Sequence, residues 1–148
     1  SFIRLERKFK RCGFGYKSST NLTPKQVQAI IDGNVGWMAA STDEVILGFY
    51  TRIRNEGLQA KVIVDYIREP FVFAPGNTRV TLDHNIHTSM RCTDFLNSAC
   101  MTIPIKESPS ILEVKWDNYL PDVVRDAIQL DGRRITAFSK YAACRMYD

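Results

Sequence analysis

The strongest constraint in this chain is a two-residue alternation of charged and apolar side chains that recurs in widely separated segments. In the first ten residues Ile3, Leu5 and Phe9 share one parity and Arg4, Glu6, Lys8 and Lys10 the other, with Arg7 alone breaking the apolar set. From Ile111 to Asp117, Ile111, Glu113, Lys115 and Asp117 alternate with Leu112, Val114 and Trp116. Arg79, Thr81 and Asp83 alternate with Val80 and Leu82, and Tyr66 and Arg68 oppose Ile67 and Phe71. Successive side chains of a strand point to opposite faces, so each segment reads as a two-faced β-strand. Any half-buried antiparallel strand looks like this, and the residue types therefore carry the information. The charged faces repeat Arg4, Lys8, Lys10, Arg68, Arg79 and Lys115, against the acids Glu6, Asp83, Glu113 and Asp117.

The remaining segments predict helices and turns around these strands. Gly13 and Gly15 mark a turn, after which the chain can pair back as a hairpin. Thr23-Pro24-Lys25-Gln26 is a capping box with Pro at the first helical position, Val27, Ile30 and Ile31 form the apolar stripe, and Gly33 stops the helix. Ser41 to Glu44 repeats the capping pattern, and Val45, Ile46, Phe49, Tyr50 and Ile53 keep helical spacing until Gly57. Residues 61–73 and 78–86 read as consecutive strands across the turn Ala74-Pro75-Gly76-Asn77, residues 87–94 as a candidate further strand, and Pro104 and Pro109 as the bounds of a loop. Pro121 opens a helix, and residues 136–147 predict a turn and a short helix. The expected fold is α+β: an antiparallel β-tunnel, a closed or partly open barrel, with a charged lumen, apolar faces forming the core and helices packed outside. With 148 residues and no linker or repeat, residues 1–148 read as one domain.

A net charge of +4 is too mild for a general nucleic-acid binder, so position matters more than total. Six basic residues against one acid fall between Ser1 and Lys17. Cations crowded into a lumen repel one another unless a polyanion is bound, and guanidinium groups suit phosphate oxygens. Carboxylates on the same face suit a divalent cation, the usual companion of nucleotides and polyphosphate. No apolar run reaches the ~20 residues of a membrane helix and no signal peptide is evident, which predicts a soluble, cytoplasmic chain. Cys12, Cys92, Cys100 and Cys144 lack C-x-x-C spacing and are expected to be reduced thiols. His84 and His87, three apart, are expected on opposite faces of a strand, without a shared metal. Trp37 and Trp116 suit core anchoring.

The segments FIRLERK (2–8), DYIREPF (65–71), RVTLD (79–83), ILEVKWD (111–117) and FSKY (138–141) together resemble the VTC domain of polyphosphate polymerases, within the triphosphate tunnel metalloenzymes and especially its bacterial branch. The resemblance spans nearly the whole chain in order. It implies a β-tunnel that binds ATP or another triphosphate and moves the γ-phosphate onto inorganic polyphosphate with Mn²⁺ or Mg²⁺. On this resemblance Lys8 matches the phosphate-binding Lys of the ERK strand, and Arg68 and Arg79 match two later tunnel arginines with Tyr66 beside the first. Glu113 matches the metal-binding Glu, Ser139 and Lys140 match the Ser-Lys pair near the C-terminus, and Lys17 matches a further tunnel Lys. Lys10 stands where the family has His. The family's preceding strands, with an Arg-x-Arg and an early Lys, have no counterpart before Ser1, which implies an N-terminally truncated domain.

Phosphoryl transfer needs positioning and charge neutralisation rather than a protein nucleophile. Lys8, Arg68, Arg79 and Lys140 would cradle phosphates, and Glu113 would hold the cation. Ser139 has no His near it in sequence and suits hydrogen bonding better than nucleophilic attack. Glu6 suits ion pairing in the lumen or, second, metal binding, and Lys115 suits pairing with its neighbours or substrate contact. The competing functions are a tunnel-type triphosphatase and a polyphosphate-binding module without turnover. Specific nucleic-acid binding is disfavoured because no aromatics interleave with the basic residues.

Overall fold

A computed structural model describes the chain except Ser1, Gly13, Met90, Arg91, Ser108 and Asp148, and leaves out the side chains of Lys10, Arg11 and Phe14. The chain divides into two compact units, one of Ser1–Lys61 with Thr93–Ala99 and one of Val62–Cys92 with Cys100–Asp148. Each is described by itself.

The first unit begins with an antiparallel hairpin of β1 (Ile3–Arg11) and β2 (Phe14–Leu22), registered so that Ile3 faces Leu22, Arg7 faces Ser18 and Lys8 faces Lys17. Next come α1 (Pro24–Ile31), a 3-10 turn (Gly36–Ala40) and α2 (Glu44–Glu56). The capping box of α1 forms as expected, Thr23 accepting from Gln26 N and Gln26 Oε1 accepting from Thr23 N at 2.8 Å. In α2 the cap moves to Asp43, whose Oδ1 accepts from Val45 N and Ile46 N, while Ser41 Oγ accepts from Asp43 N. Gly57 ends α2 in the left-handed region at φ 65, a conformation open to Gly at little cost. Val35, Met38 and Ile46 are buried with Leu5, Leu22, Ile30 and Phe49 packed on them, so the helices cover the apolar face of the hairpin. Removing the Met38 side chain from water contributes about 1.5–3 kcal/mol.

The second unit is a four-stranded antiparallel sheet. β3 (Val64–Phe73) and β4 (Thr78–Ser89) pair along nearly their whole length, and the other edge of β4 takes β5 (Thr102–Pro104) at His87 to Ser89 and β6 (Ile111–Lys115) at Arg79 to Asp83. A 3-10 turn, Pro75–Asn77, joins β3 to β4, and Gly76 sits there at φ 66 with no room for a Cβ beside Tyr119 O. Its carbonyl accepts from Asp117 N at 3.0 Å, and Asn77 Nδ2 donates to Asp117 Oδ2 at 2.9 Å, which ties the turn to the end of β6. α3 (Asp122–Ala127) and α4 (Lys140–Arg145) follow. Ile86, Ile105 and Cys144 are buried, with Val64, Tyr66 and Ile111 against them.

The structure departs from the sequence reading in several ways. Among the described residues the strands form a two-stranded and a four-stranded antiparallel sheet, and no closed barrel is found. The strand starting at Thr78 continues to Ser89, and the short β5, which the sequence reading did not predict, ends at Pro104 where the expected loop begins. In the four-stranded sheet the face bearing Asp83 also holds the buried Thr81, Ile86 and Thr88, and α4 lies on it. The apolar face leaves Ile67, Phe71 and Trp116 exposed at 49%, 58% and 48%. Cys92 and Cys100 form a disulfide, contrary to the reading of four reduced thiols, because the β4–β5 hairpin brings its own flanks together. Cys12 and Cys144 are free.

Candidate functional site

In the second unit, register assembles the site. Arg68 on β3 lies directly opposite Asp83 on β4, and Thr81 and Arg79 on β4 lie opposite Glu113 and Lys115 on β6. Directly paired residues share a face, so Arg68, Arg79, Thr81, Asp83, Glu113 and Lys115 form one charged face across three strands. Asp83 is fully buried and its carboxylate is completely engaged. Arg68 Nε donates to Oδ1 and Arg68 Nη2 to Oδ2, each at 2.6 Å, and Lys140 Nζ reaches Oδ2 at 2.6 Å. The Tyr66 ring lies against both cations, 5.3 Å from Arg68 Cζ and 4.9 Å from Lys140 Nζ. Such contacts are worth about 0.5–2 kcal/mol, depending on exposure.

α4 delivers Lys140. Ser139 is its N-cap, Oγ accepting from Ala142 N at 3.2 Å, so this hydroxyl fixes the start of the helix from which Lys140 projects. The far end of α4 is held by Thr88 Oγ1, which donates to the Cys144 carbonyl at 3.3 Å. Burial among apolar neighbours pushes the Cys144 thiol up, and this unreactive group serves packing.

The electrostatics follow from these contacts. The Arg68 bond, then Lys140, holds the Asp83 carboxyl down at about 2, so it is ionised at neutral pH, and the Asp83 bond raises Arg68 further above its ordinary value. Glu113 is lowered chiefly by Lys115, whose Nζ lies 2.9 Å from Oε1, with smaller help from Arg68 and Lys140. Arg79 is exposed and has no ion-pair partner among the described residues. Thr81 Oγ1, directly across from Glu113, is buried with no hydrogen-bond partner among the described residues.

The first unit carries the other expected residues. Lys8 and Lys17 face each other across the hairpin, an arrangement that is unfavourable by about 0.2–1 kcal/mol without compensation. Glu6 Oε1 compensates Lys17 at 2.6 Å, and this contact lowers the Glu6 carboxyl. Glu6 is therefore an ion-pair partner, the first of its two sequence readings. Lys8 has no ion-pair partner among the described residues, and the Lys10 side chain lies outside them.

The structure thus joins Tyr66, Arg68 and Lys140 around one carboxylate, with Ser139 capping the helix that carries Lys140 and with Glu113 and Lys115 paired on the same face. The sequence reading places Asp83 only among the acids of the charged face. Its signal was the shared parity with Arg79 at the end of RVTLD, but nothing in the sequence shows that Lys140 arrives from a helix 57 positions later. One parity argument fails. His84 pairs with Ile67 and His87 with Asp65, residues two apart on β3, so the two histidines share a face. Asn85, at φ 54, falls where the register shifts. His84 Nε2 bonds Glu69 Oε1 at 2.7 Å, and no group of three or more metal-ligating side chains occurs among the described residues.

A family model described as the VTC domain matches residues 1–147. The chain belongs to the VTC domain family. Membership gives it a polyphosphate-related function, and the VTC domain family is associated with polyphosphate polymerase activity. No match was found among curated proteins or among solved structures. Among the described residues of this VTC domain no helix is long and apolar enough to cross a membrane.

Proposed function

We propose that this VTC domain transfers the γ-phosphate of ATP or another nucleoside triphosphate onto an inorganic polyphosphate chain. The charged face of the four-stranded sheet would form part of the wall of a β-tunnel of the family's kind. The observation that carries the reading is the anchoring of Arg68 and Lys140 at Asp83. Arg68 spends only Nε and one Nη on the carboxylate, and Lys140 spends one donor, so each cation keeps donors for an incoming phosphate. Confinement of anchored cations on one face is what in-line phosphoryl transfer needs, since its work is positioning and charge neutralisation.

Arg68, Arg79, Lys140 and Lys8 are assigned to hold the transferring and chain phosphates, and Lys10, Lys17, Tyr66, Ser139 and Lys115 to bind the substrate around them. Glu113 is assigned to a divalent cation, Mn²⁺ or Mg²⁺. The residues fit that group in one mode only. Asp83 is engaged by Arg68 and Lys140, while Glu113 is ionised and half exposed, so Glu113 is the carboxylate that would hold the cation. The orphan Thr81 hydroxyl beside it is consistent with a further polar group at this position. When bound, the cation neutralises charge on the β- and γ-oxygens. Lys115, now paired with Glu113, would then be available to phosphate.

The alternative is a module that holds polyphosphate without turnover. It draws on the Glu113–Lys115 pair, which leaves neither Glu113 nor Asp83 without a cation partner. A tunnel-type triphosphatase would instead release orthophosphate. The test is polymer formation by the intact protein with ATP and Mn²⁺ or Mg²⁺, resolved by chain length on a gel. The proposal expects long chains that fall at least 100-fold in Glu113→Ala and Arg79→Ala. A folded protein that yields no polymer, or variants that match the parent, would contradict it.

A further inference from the structure

Three elements of the second unit meet at one carboxylate. Asp83 comes from the central strand β4, Arg68 from β3 and Lys140 from the first turn of α4, and both Asp83 oxygens are engaged by contacts of 2.6 Å. The Asp83 side chain is 0% exposed, whereas Lys140 and Arg68 remain 21% and 35% exposed. The buried anion therefore engages only some donors of two cations that remain partly exposed. The Nε and Nη2 edge of the guanidinium is fixed by two parallel bonds, which removes rotation about the end of the side chain. The Tyr66 ring, in contact with both cations, limits the remaining sideways movement.

A fold-only role explains this cluster poorly. Buried ion pairs are an inefficient source of stability, and apolar groups of similar volume commonly do as well. A fold-only role would also allow the cations to be fully enclosed. The net charge matters too: one carboxylate between two cations leaves a single positive charge, so Asp83 works against raw attraction for a polyanion while it improves order.

We propose that Asp83 is the positioning residue of the phosphate site, aligning the Arg68 guanidinium and the Lys140 ammonium before phosphate arrives and keeping hold of Arg68 after it has bound. The proposal rests on the phosphate reading of this face but not on turnover. Charge and positioning predict opposite signs for Asp83→Asn. Loss of a negative charge alone strengthens attraction for ATP, whereas loss of alignment slows transfer. The expected result in the intact protein is a kcat for polymer formation at least 30-fold lower, with a KM for ATP equal to or below that of the parent. A parental kcat, or a loss carried by KM alone, overturns the proposal.

Asp83→Asn places an uncharged group in a buried ion cluster and can fail to fold, so a second measurement uses the parent protein. In ¹⁵N NMR the Arg68 Nε–H, identified by its absence from Arg68→Lys, should give a downfield, slowly exchanging signal at neutral pH. The signal should persist when inorganic tripolyphosphate saturates the protein. Its absence from the free protein, or its loss on tripolyphosphate binding, overturns the proposal. If the parent binds tripolyphosphate, keeps the signal and yet makes no polymer, the transferase reading fails and the role of Asp83 stands.

Discussion

At the scale of single residues, Asp83 concentrates the consequences. Its folded-state carboxyl is held at about 2 against an ordinary 3.8. A depressed carboxyl stabilises the fold at pH above its unfolded value, and that contribution disappears as pH falls from about 4 through about 2. The gap corresponds to roughly 2 kcal/mol. Urea unfolding between pH 6 and pH 2 should show this loss, and Asp83→Asn, if folded, should show a shallower decline by about that amount. A decline of equal depth would contradict the clasp. Thr81 offers an opposite sign. Its buried hydroxyl has no partner among the described residues, so Thr81→Val should raise stability by about 1 kcal/mol in urea unfolding. A lowered stability would mean that the hydroxyl has a partner in solution. Legibility at this scale was uneven. Arg68, Lys140, Tyr66 and Glu113 were readable from the resemblance, and the parity of Arg68 and Glu113 was readable from alternation. The carboxylate that holds Arg68 and Lys140 together was not, because alternation assigns a face and says nothing about which helix later covers it.

At the scale of elements, local signals worked where the physics was local. Thr23 and Gln26 specify the start of α1 within four residues, and the full capping box forms. Thr23→Ala should therefore cost about 1 kcal/mol in thermal or urea unfolding, and a change within error would show that the cap is idle. Signals that depend on pairing were less legible. Strict alternation misplaces His87 because the register shifts between Asp65 and Ile67, and no spacing rule identifies the Cys92–Cys100 pair, which follows from the register of β4 with β5. Thiol counting tests that pair. Under native, non-reducing conditions Cys12 should react quickly, and Cys144 should follow on unfolding. The other two cysteines should react only after reduction. Four reactive thiols in the unfolded, unreduced chain would rule the disulfide out.

At the scale of the whole molecule, the class was legible and the closure was not. Alternation gave antiparallel strands with a charged face, and both sheets carry one. What alternation cannot give is the partner of each face. In the first unit helices cover the apolar side, whereas in the second α4 lies on the charged side and Phe71 and Trp116 stay exposed on the other. A charged face partly covered by a helix that itself supplies a lysine is a more specific arrangement than an open basic strand. Under the proposed function it would concentrate the phosphate chemistry at Arg68, Lys140 and Glu113. The most direct test is a ³¹P NMR time course of the intact protein with ATP and Mg²⁺. Internal-chain phosphate signals should grow in step with ADP, and should not appear in Glu113→Ala. Growth of orthophosphate alone, or ATP unchanged over the whole course, would contradict the transferase account.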